Sequence, residues 1–197
     1  MAEPCISCVI GDFGTGKTTY LAYLARSNAE KRNIFANFTL YGIEYTPISV
    51  EDLANFPDWV KDGIVLLDEG HVGANIYNVF KKDVKEFSIF ISQIRKRNIY
   101  VFWSSQFFSK VAKPLRDYTK YMFQFSEIKD IYGNQIKGTA TVELFDLHNY
   151  YQYINTFNFD GRPLFPYFDT KELVTNSTVK SDGQKIFNKL SSKPLTP

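Results

Sequence analysis

Apolar residues fall along this chain in runs of different rhythm, and each rhythm predicts an element. Ile6–Ile10, Ile64–Leu67 and Asn98–Trp103 are short, nearly continuous apolar stretches. Runs of that kind fit strands buried on both faces. Ile34–Leu40 and Tyr121–Phe125, rich in β-branched and aromatic residues, predict two more strands. From about Val79 to Arg97 the rhythm changes: Val84, Phe87, Ile91 and Ile94 recur at helical spacing and make one stripe. Thr139–Leu147 alternates, which predicts a β-hairpin or meander with its turn somewhere in Lys129–Gly138.

Shorter signals fill the gaps. Lys17–Arg26 reads as a helix, as does Val50–Asn55 with Ser49 as its cap and Asp52 at the third helical position. Val111–Tyr118, Thr170–Val174 and Ser181–Leu190 read as further short helices, and Ser191–Pro197 as a flexible tail. The order strand–loop–helix, strand, strand, helix, strand predicts an α/β fold. Its sheet is mostly parallel, flanked by helices, with an added β-hairpin at one edge. Residues 1–175 form one expected domain and 176–197 a C-terminal extension.

The loop after the first strand carries the strongest chemistry. Gly11-Asp12-Phe13-Gly14-Thr15-Gly16-Lys17-Thr18 matches GxxxxGK[ST] in full, between an apolar strand and a helix. A loop that wraps a phosphate with backbone amides needs glycines where side chains would block the anion. Amides at the start of the following helix face the same anion. Lys17 supplies positive charge to the β- and γ-phosphates, and the Thr18 hydroxyl is a hard ligand for Mg²⁺. For Thr19, a weaker candidate, phosphate or metal contact and helix-surface packing stand equal.

Asp68 closes the buried Ile64–Leu67 run, so its carboxylate falls at the end of a parallel strand, where it suits the magnesium shell. Glu69 follows and is the candidate to polarise attacking water, since neutral water is a poor nucleophile. His71 reads equally as a phosphate sensor and as a surface residue. Gln106, just past the 98–103 strand, is a candidate γ-phosphate sensor, because an amide bonds both water and phosphate oxygen.

Composition bounds the rest. A length of 197 residues suits one domain with a sizeable core. The 18 Phe and 13 Tyr are spread through the chain, which favours a ring-filled core over base stacking. Cys5 and Cys8 lead into a strand and lack zinc-spaced partners, so they read as structural thiols. No run is long and apolar enough to predict a membrane span, and no secretion signal is visible. The net charge is +2, yet residues 81–120 hold ten Lys or Arg against three acids, +7 in one segment. Such a segment suits a polyanion, with a solvated helical face as the plainer reading. Arg95, Arg97 and Arg116 lie in it. Each is a candidate arginine finger for a neighbouring subunit's γ-phosphate, with Arg97 first and Arg116 next; the helix dipole alone would also favour cations at a helix end.

Three stretches, GDFGTGKTTYLAYLA, GIVLLDEGH and QIRKRNIYVFWSSQFFSKVAKPLRDYTKYMFQF, carry a family resemblance. They resemble small viral genome-packaging ATPases of the FtsK–HerA superfamily, RecA/FtsK-like P-loop enzymes, and in particular those of archaeal turreted icosahedral viruses. In that family the third stretch is a helix ending in arginines (here Arg95 and Arg97), a strand leading to a sensor Gln (Gln106), and an "lR" segment (Leu115-Arg116). Tyr167-Phe168-Asp169-Thr170 is similar to a segment that follows the core in relatives. The resemblance implies ATP and Mg²⁺ as cofactors and a homo-oligomeric ring, pentameric or hexameric. It implies sequence-independent handling of double-stranded DNA and a capsid or portal-vertex partner. Location would be the host cytoplasm, with association at the virion vertex. The usual small residue after the tandem acids is Gly70 here, a minor change, and no nuclease domain is visible. A Zot-like phage assembly ATPase shares the same core and is the alternative. A nucleotide-gated assembly switch with slow turnover is a third reading.

Overall fold

A computed structural model describes residues 3–49, 52, 57–68, 84–111, 113–169 and 183–190. In chain order the elements are β1 (Ile6–Gly11), α1 (Lys17–Asn28), β2 (Asn33–Ala36), β3 (Glu44–Pro47), β4 (Gly63–Leu67) and α2 (Val84–Lys96). Then come β5 (Ile99–Ser105), α3 (Lys113–Tyr118), β6 (Thr119–Lys129), β7 (Gln135–Asp146), β8 (Gln152–Asp160) and β9 (Ile186–Phe187). Short 3-10 turns cover Phe108–Lys110 and Arg162–Tyr167.

All these strands join one sheet in the order β8-β7-β6-β1-β5-β4-β2-β3-β9. From β6 to β3 every pairing is parallel, whereas β7, β8 and β9 run antiparallel to their neighbours. The result is an α/β fold with a mostly parallel sheet, in which β5 is inserted between the strand that feeds the Gly11–Thr18 loop and the strand that ends just before Asp68.

The pleat divides the core. Ile6, Cys8 and Ile10 of β1 pack with Val65, Leu67, Val101 and Trp103 on the face that carries Ile94 of α2 and Leu115 of α3. Val9, Ile64 and Leu66 point the other way, under Tyr20, Leu21, Ala22 and Ala25 of α1. Two covered faces explain why Ile64–Leu67 is apolar without alternation: all of it is buried. Tyr20 sits 5.3–5.4 Å from the rings of Phe123, Phe125 and Phe159, so much of the aromatic content is core. Trp103 is fully buried, and its indole N–H donates to Thr119 Oγ1 at 3.1 Å, so the buried polar atom is satisfied.

Cys5 and Cys8 are unbridged, and burial pushes both thiols up, Cys8 furthest, which fits the structural role. The expected edge hairpin is a three-stranded antiparallel meander, β6-β7-β8. Ser49 and Asp52 form the reciprocal cap read from sequence, Asp52 N–H to Ser49 Oγ at 3.0 Å and Ser49 N–H to Asp52 Oδ2 at 2.8 Å. The rest of the Val50–Asn55 helix lies outside the described residues, as do Val79–Asp83, Thr170–Val174 and Ser191–Pro197.

Two readings are corrected. The helix expected over Ser181–Leu190 is extended where described: β9 pairs with β3, Ile186 opposite Tyr45. Its apolar residues satisfy a sheet edge there, and Leu190 packs on Gly42. The strand read as Ile34–Leu40 ends at Ala36; Asn37 still gives its backbone N–H to the Leu66 carbonyl at 3.2 Å, while its side chain turns to the Asp68 main chain.

Candidate phosphate site

The loop Gly11–Thr18 leaves β1 at the strand-end edge of the parallel sheet and enters α1 directly. α1 starts on Gly16 in left-handed backbone (φ 92°), with no side-chain cap and no acid in its first turn. Its leading N–H groups thus lack the side-chain acceptor that ordinarily caps a helix. A start of this kind fits an anionic ligand. Gly11 is required by space: a Cβ there would stand 2.7 Å from the Phe125 carbonyl and 2.8 Å from Thr15 Oγ1. Thr15 is buried and donates to the Asp12 carbonyl at 2.8 Å, which closes the turn. Phe13 stands at the tip, exposed.

Lys17 is buried to 7% exposure, and its Nζ donates to the carbonyls of Gly11 at 2.8 Å and Asp12 at 2.9 Å. The ammonium is thereby held within the loop, where a phosphate chain would need it. Thr19 is buried, and its methyl packs on Gly161, where a Cβ would come within 2.3 Å of it. Packing accounts for that side chain.

Asp68 meets the loop. The Thr18 hydroxyl donates to Asp68 Oδ2 at 2.7 Å. Register explains a second partner: Leu67 pairs with Trp103, so the next residues, Asp68 and Ser104, lie side by side, and Ser104 Oγ donates to Oδ1 at 2.6 Å. From β2, Asn37 Oδ1 accepts the Asp68 backbone N–H at 2.7 Å, and Asn37 Nδ2 donates to the Asp68 carbonyl at 3.2 Å. One hydroxyl-flanked carboxylate is a hard oxygen set. It suits magnesium, which takes few protein ligands and completes its shell from phosphate and water. Among the described residues no group of three or more His, Cys, Asp or Glu is placed to hold a metal ion.

Gln106 follows β5 and is half-buried. With Gly11, Asp12, Thr15, Phe107 and Lys129 it lines a cleft of about 430 Å³ beside the loop. Glu69 and His71 lie outside the described residues.

The three candidate arginines sit at the other edge of the sheet. Arg95 and Arg97 precede β5, and Arg116 precedes β6; both strands run parallel to β1. Strand rise of about 3.3 Å per residue puts roughly 20 Å, the length of β1, between the backbone at the start of these strands and the loop. Arg95 and Arg97 stay at that end of the sheet, whereas the Arg116 guanidinium reaches toward Phe108, whose ring stacks on Trp103. Arg97 is anchored, with Nη1 to the Pro57 carbonyl at 2.7 Å and Nη2 to Asp58 at 3.0 Å. Arg95 is exposed and only 3.6 Å from Glu3. Arg116 lies half-buried with its guanidinium 6.0 Å from the Phe108 ring. Of the basic segment, Lys81 and Lys82 fall outside the described residues.

Asn37, Ser104 and Gln135 are the site residues that sequence reading passes over. Ser104 had a signal, the polar Ser104-Ser105-Gln106 step after a buried strand. Asn37 had a weaker one, an amide inside an apolar run. Gln135 had none, for it reaches the Gly14 carbonyl at 3.0 Å from 121 residues away.

No protein-family model matches the chain, and no curated protein matches it. Solved structures do. The N-terminal domain of zonular occludens toxin from Neisseria meningitidis is 15% identical, over 85% of this chain and 100% of that one, with a TM-score of 0.53. That match shows a shared fold. The genome-packaging NTPase B204 of Sulfolobus turreted icosahedral virus 2, in complex with AMP, is 11% identical over 79% of this chain and 98% of that one, with a TM-score of 0.48. The same protein with ATP-gammaS is 12% identical, over 78% of this chain and 97% of that one, at 0.48.

Proposed function

We propose that the chain is a magnesium-dependent ATPase that drives double-stranded DNA into a preformed capsid without reading its sequence. The Thr18–Asp68 hydrogen bond carries the enzymatic part, because it joins the phosphate loop to the strand-end carboxylate. Gly11–Thr18 would hold the phosphates, and Thr18 with Asp68 would hold Mg²⁺, which supplies charge neutralisation on the phosphate oxygens. Lys17 offsets negative charge developing on the γ-phosphoryl. Glu69, next in sequence to Asp68, takes the proton of the attacking water, and Gln106 orients that water. ATP is preferred over GTP because the sequence has no [NT]KxD guanine-reading motif.

The motor part rests on the sequence resemblance and on the cationic 81–120 segment, which suits backbone phosphates. In this reading the copies form a ring of five or six. The edge that carries Arg95, Arg97 and Arg116 faces the loop of the next copy, and a capsid or portal-vertex protein docks the ring. The working location is the host cytoplasm and the virion vertex. Arg95 is the better finger than Arg97, since its guanidinium is exposed and Arg97 already has two partners.

Duplex-stimulated ATPase activity tests the whole. Stimulation that fades as salt rises is expected. Glu69→Gln should bind ATP and lose most turnover; unchanged turnover removes Glu69 from the base role. A Zot-type assembly ATPase is the second reading, favoured by the fold shared with the zonular occludens toxin domain. ATPase activity indifferent to duplex at low salt would favour it. Among the described residues no helix is long and apolar enough to cross a membrane.

A further inference from the structure

Asp68 fixes which way round a nucleotide would lie. The sheet order β4-β5-β1-β6-β7-β8 sets Asp68 on one side of the loop and the antiparallel meander on the other. Metal and terminal phosphates belong with Thr18 and the carboxylate. The nucleoside, at the far end of the triphosphate, is therefore directed toward β6–β8.

Gln135 of that meander stands at the loop, and Arg162, which opens the 3-10 turn just after β8, follows a glycine packed on the first turn of α1. Gln135, the first residue of β7, donates from Nε2 to the Gly14 carbonyl at 3.0 Å. An amide so placed still has a second N–H and its Oε1 to offer. Arg162 follows Gly161, which lies against Thr19 so closely that no larger residue fits. Asp160 holds the guanidinium as a fork, with Nε to Oδ1 at 2.8 Å and Nη2 to Oδ2 at 2.6 Å. A guanidinium fixed by its edge keeps its flat faces for a ring.

We infer that Gln135 and Arg162 form the nucleoside end of the site: the amide hydrogen-bonds the base or ribose, and the guanidinium stacks on the base. The inference rests on the nucleotide-binding reading above, and deepens it by assigning recognition of the nucleoside to the meander. The antiparallel addition then has two roles, bracing Gly14 and closing the side of the loop away from the metal.

Calorimetry on the full chain with Mg²⁺ tests it with two ligands, ATP and inorganic tripolyphosphate. Wild-type protein should bind ATP more tightly. Gln135→Ala and Arg162→Ala should each weaken ATP by about five-fold, the worth of one hydrogen bond or stacking contact; tripolyphosphate should be unchanged by Arg162→Ala and weakened clearly less than ATP by Gln135→Ala, which also loses the brace on Gly14. Arg162→Lys, which keeps charge without the plane, should fall with Arg162→Ala. Equal loss for both ligands would reduce the two residues to loop supports and overturn the inference, as would ATP affinity that neither variant changes. Wild-type protein that binds tripolyphosphate as tightly as ATP overturns the nucleoside end alone. Wild-type protein that binds neither removes the phosphate-site reading, and this inference with it.

Discussion

Thr18 Oγ1 donates to Asp68 Oδ2 at 2.7 Å, across fifty residues of sequence and two strand positions of the sheet. The loop and the strand end are thus one site before any ligand is considered. Thr18→Val keeps the shape and removes the hydroxyl. It should lose the hydrogen bond and the hard oxygen together, and weaken Mg²⁺-dependent ATP binding by about ten-fold or more. ATP affinity measured in EDTA should change far less. Equal effects with and without metal would separate Thr18 from magnesium.

Ser104 presents a milder case. Its side chain is fully buried and donates to the other Asp68 oxygen at 2.6 Å. Outer partners orient a metal ligand, and their loss typically costs ten-fold or so in affinity. Ser104→Ala should therefore raise the magnesium concentration for half-maximal ATPase by about ten-fold, with kcat recovered at saturating metal. A loss of kcat that magnesium does not restore would assign Ser104 another role.

Gly11 is fixed by crowding rather than by backbone angle. A methyl there meets the Phe125 carbonyl at 2.7 Å, and a main-chain oxygen of a central strand cannot swing aside. Gly11→Ala should destabilise the fold by about 1–3 kcal/mol, the usual range for overpacking. Thermal unfolding checks it, and an unchanged melting temperature would mean that β1 and β6 separate more easily than their pairing implies.

Local pattern made the centre of this molecule readable. The apolar run ending at Asp68 and the glycine spacing from Gly11 to Thr18 are contiguous in sequence, so each could be recognised alone, and the parallel sheet then brought them together. What stayed hidden depends on pairings between distant strands. Asn37 and Ser104 reach Asp68 only because β2 and β5 flank β4. The spacing over Ser181–Leu190 suits a helix, yet Ile186 and Phe187 take their conformation from the β3 edge they pair with. The arginines show the same limit in reverse. Sequence marked Arg97 first among them, but its rank depends on Pro57 and Asp58, which come near it only in the fold.

Arg95 and Arg97 are two residues apart and should separate cleanly by experiment. Arg97 is 21% exposed and gives a charged hydrogen bond to the Pro57 carbonyl, while its other partner, Asp58, is fully exposed and contributes little. Arg97→Ala should cost about 1–2 kcal/mol, mostly from that carbonyl bond, and lower the melting temperature by roughly 4 °C. Arg95 is 71% exposed and its contact with Glu3 is long, so Arg95→Ala should leave the melting temperature unchanged. If Arg95 serves a neighbour's γ-phosphate, Arg95→Ala should lower kcat by about 1,000-fold in the assembled state without altering ATP affinity to the same degree. Mixing it with Glu69→Gln protein should then return activity, because one kind of mixed interface pairs an intact Glu69 with an intact Arg95. Mixed assemblies that stay inactive at every ratio would take the finger role from Arg95. A melting temperature that falls for Arg95→Ala and holds for Arg97→Ala would reverse the two assignments.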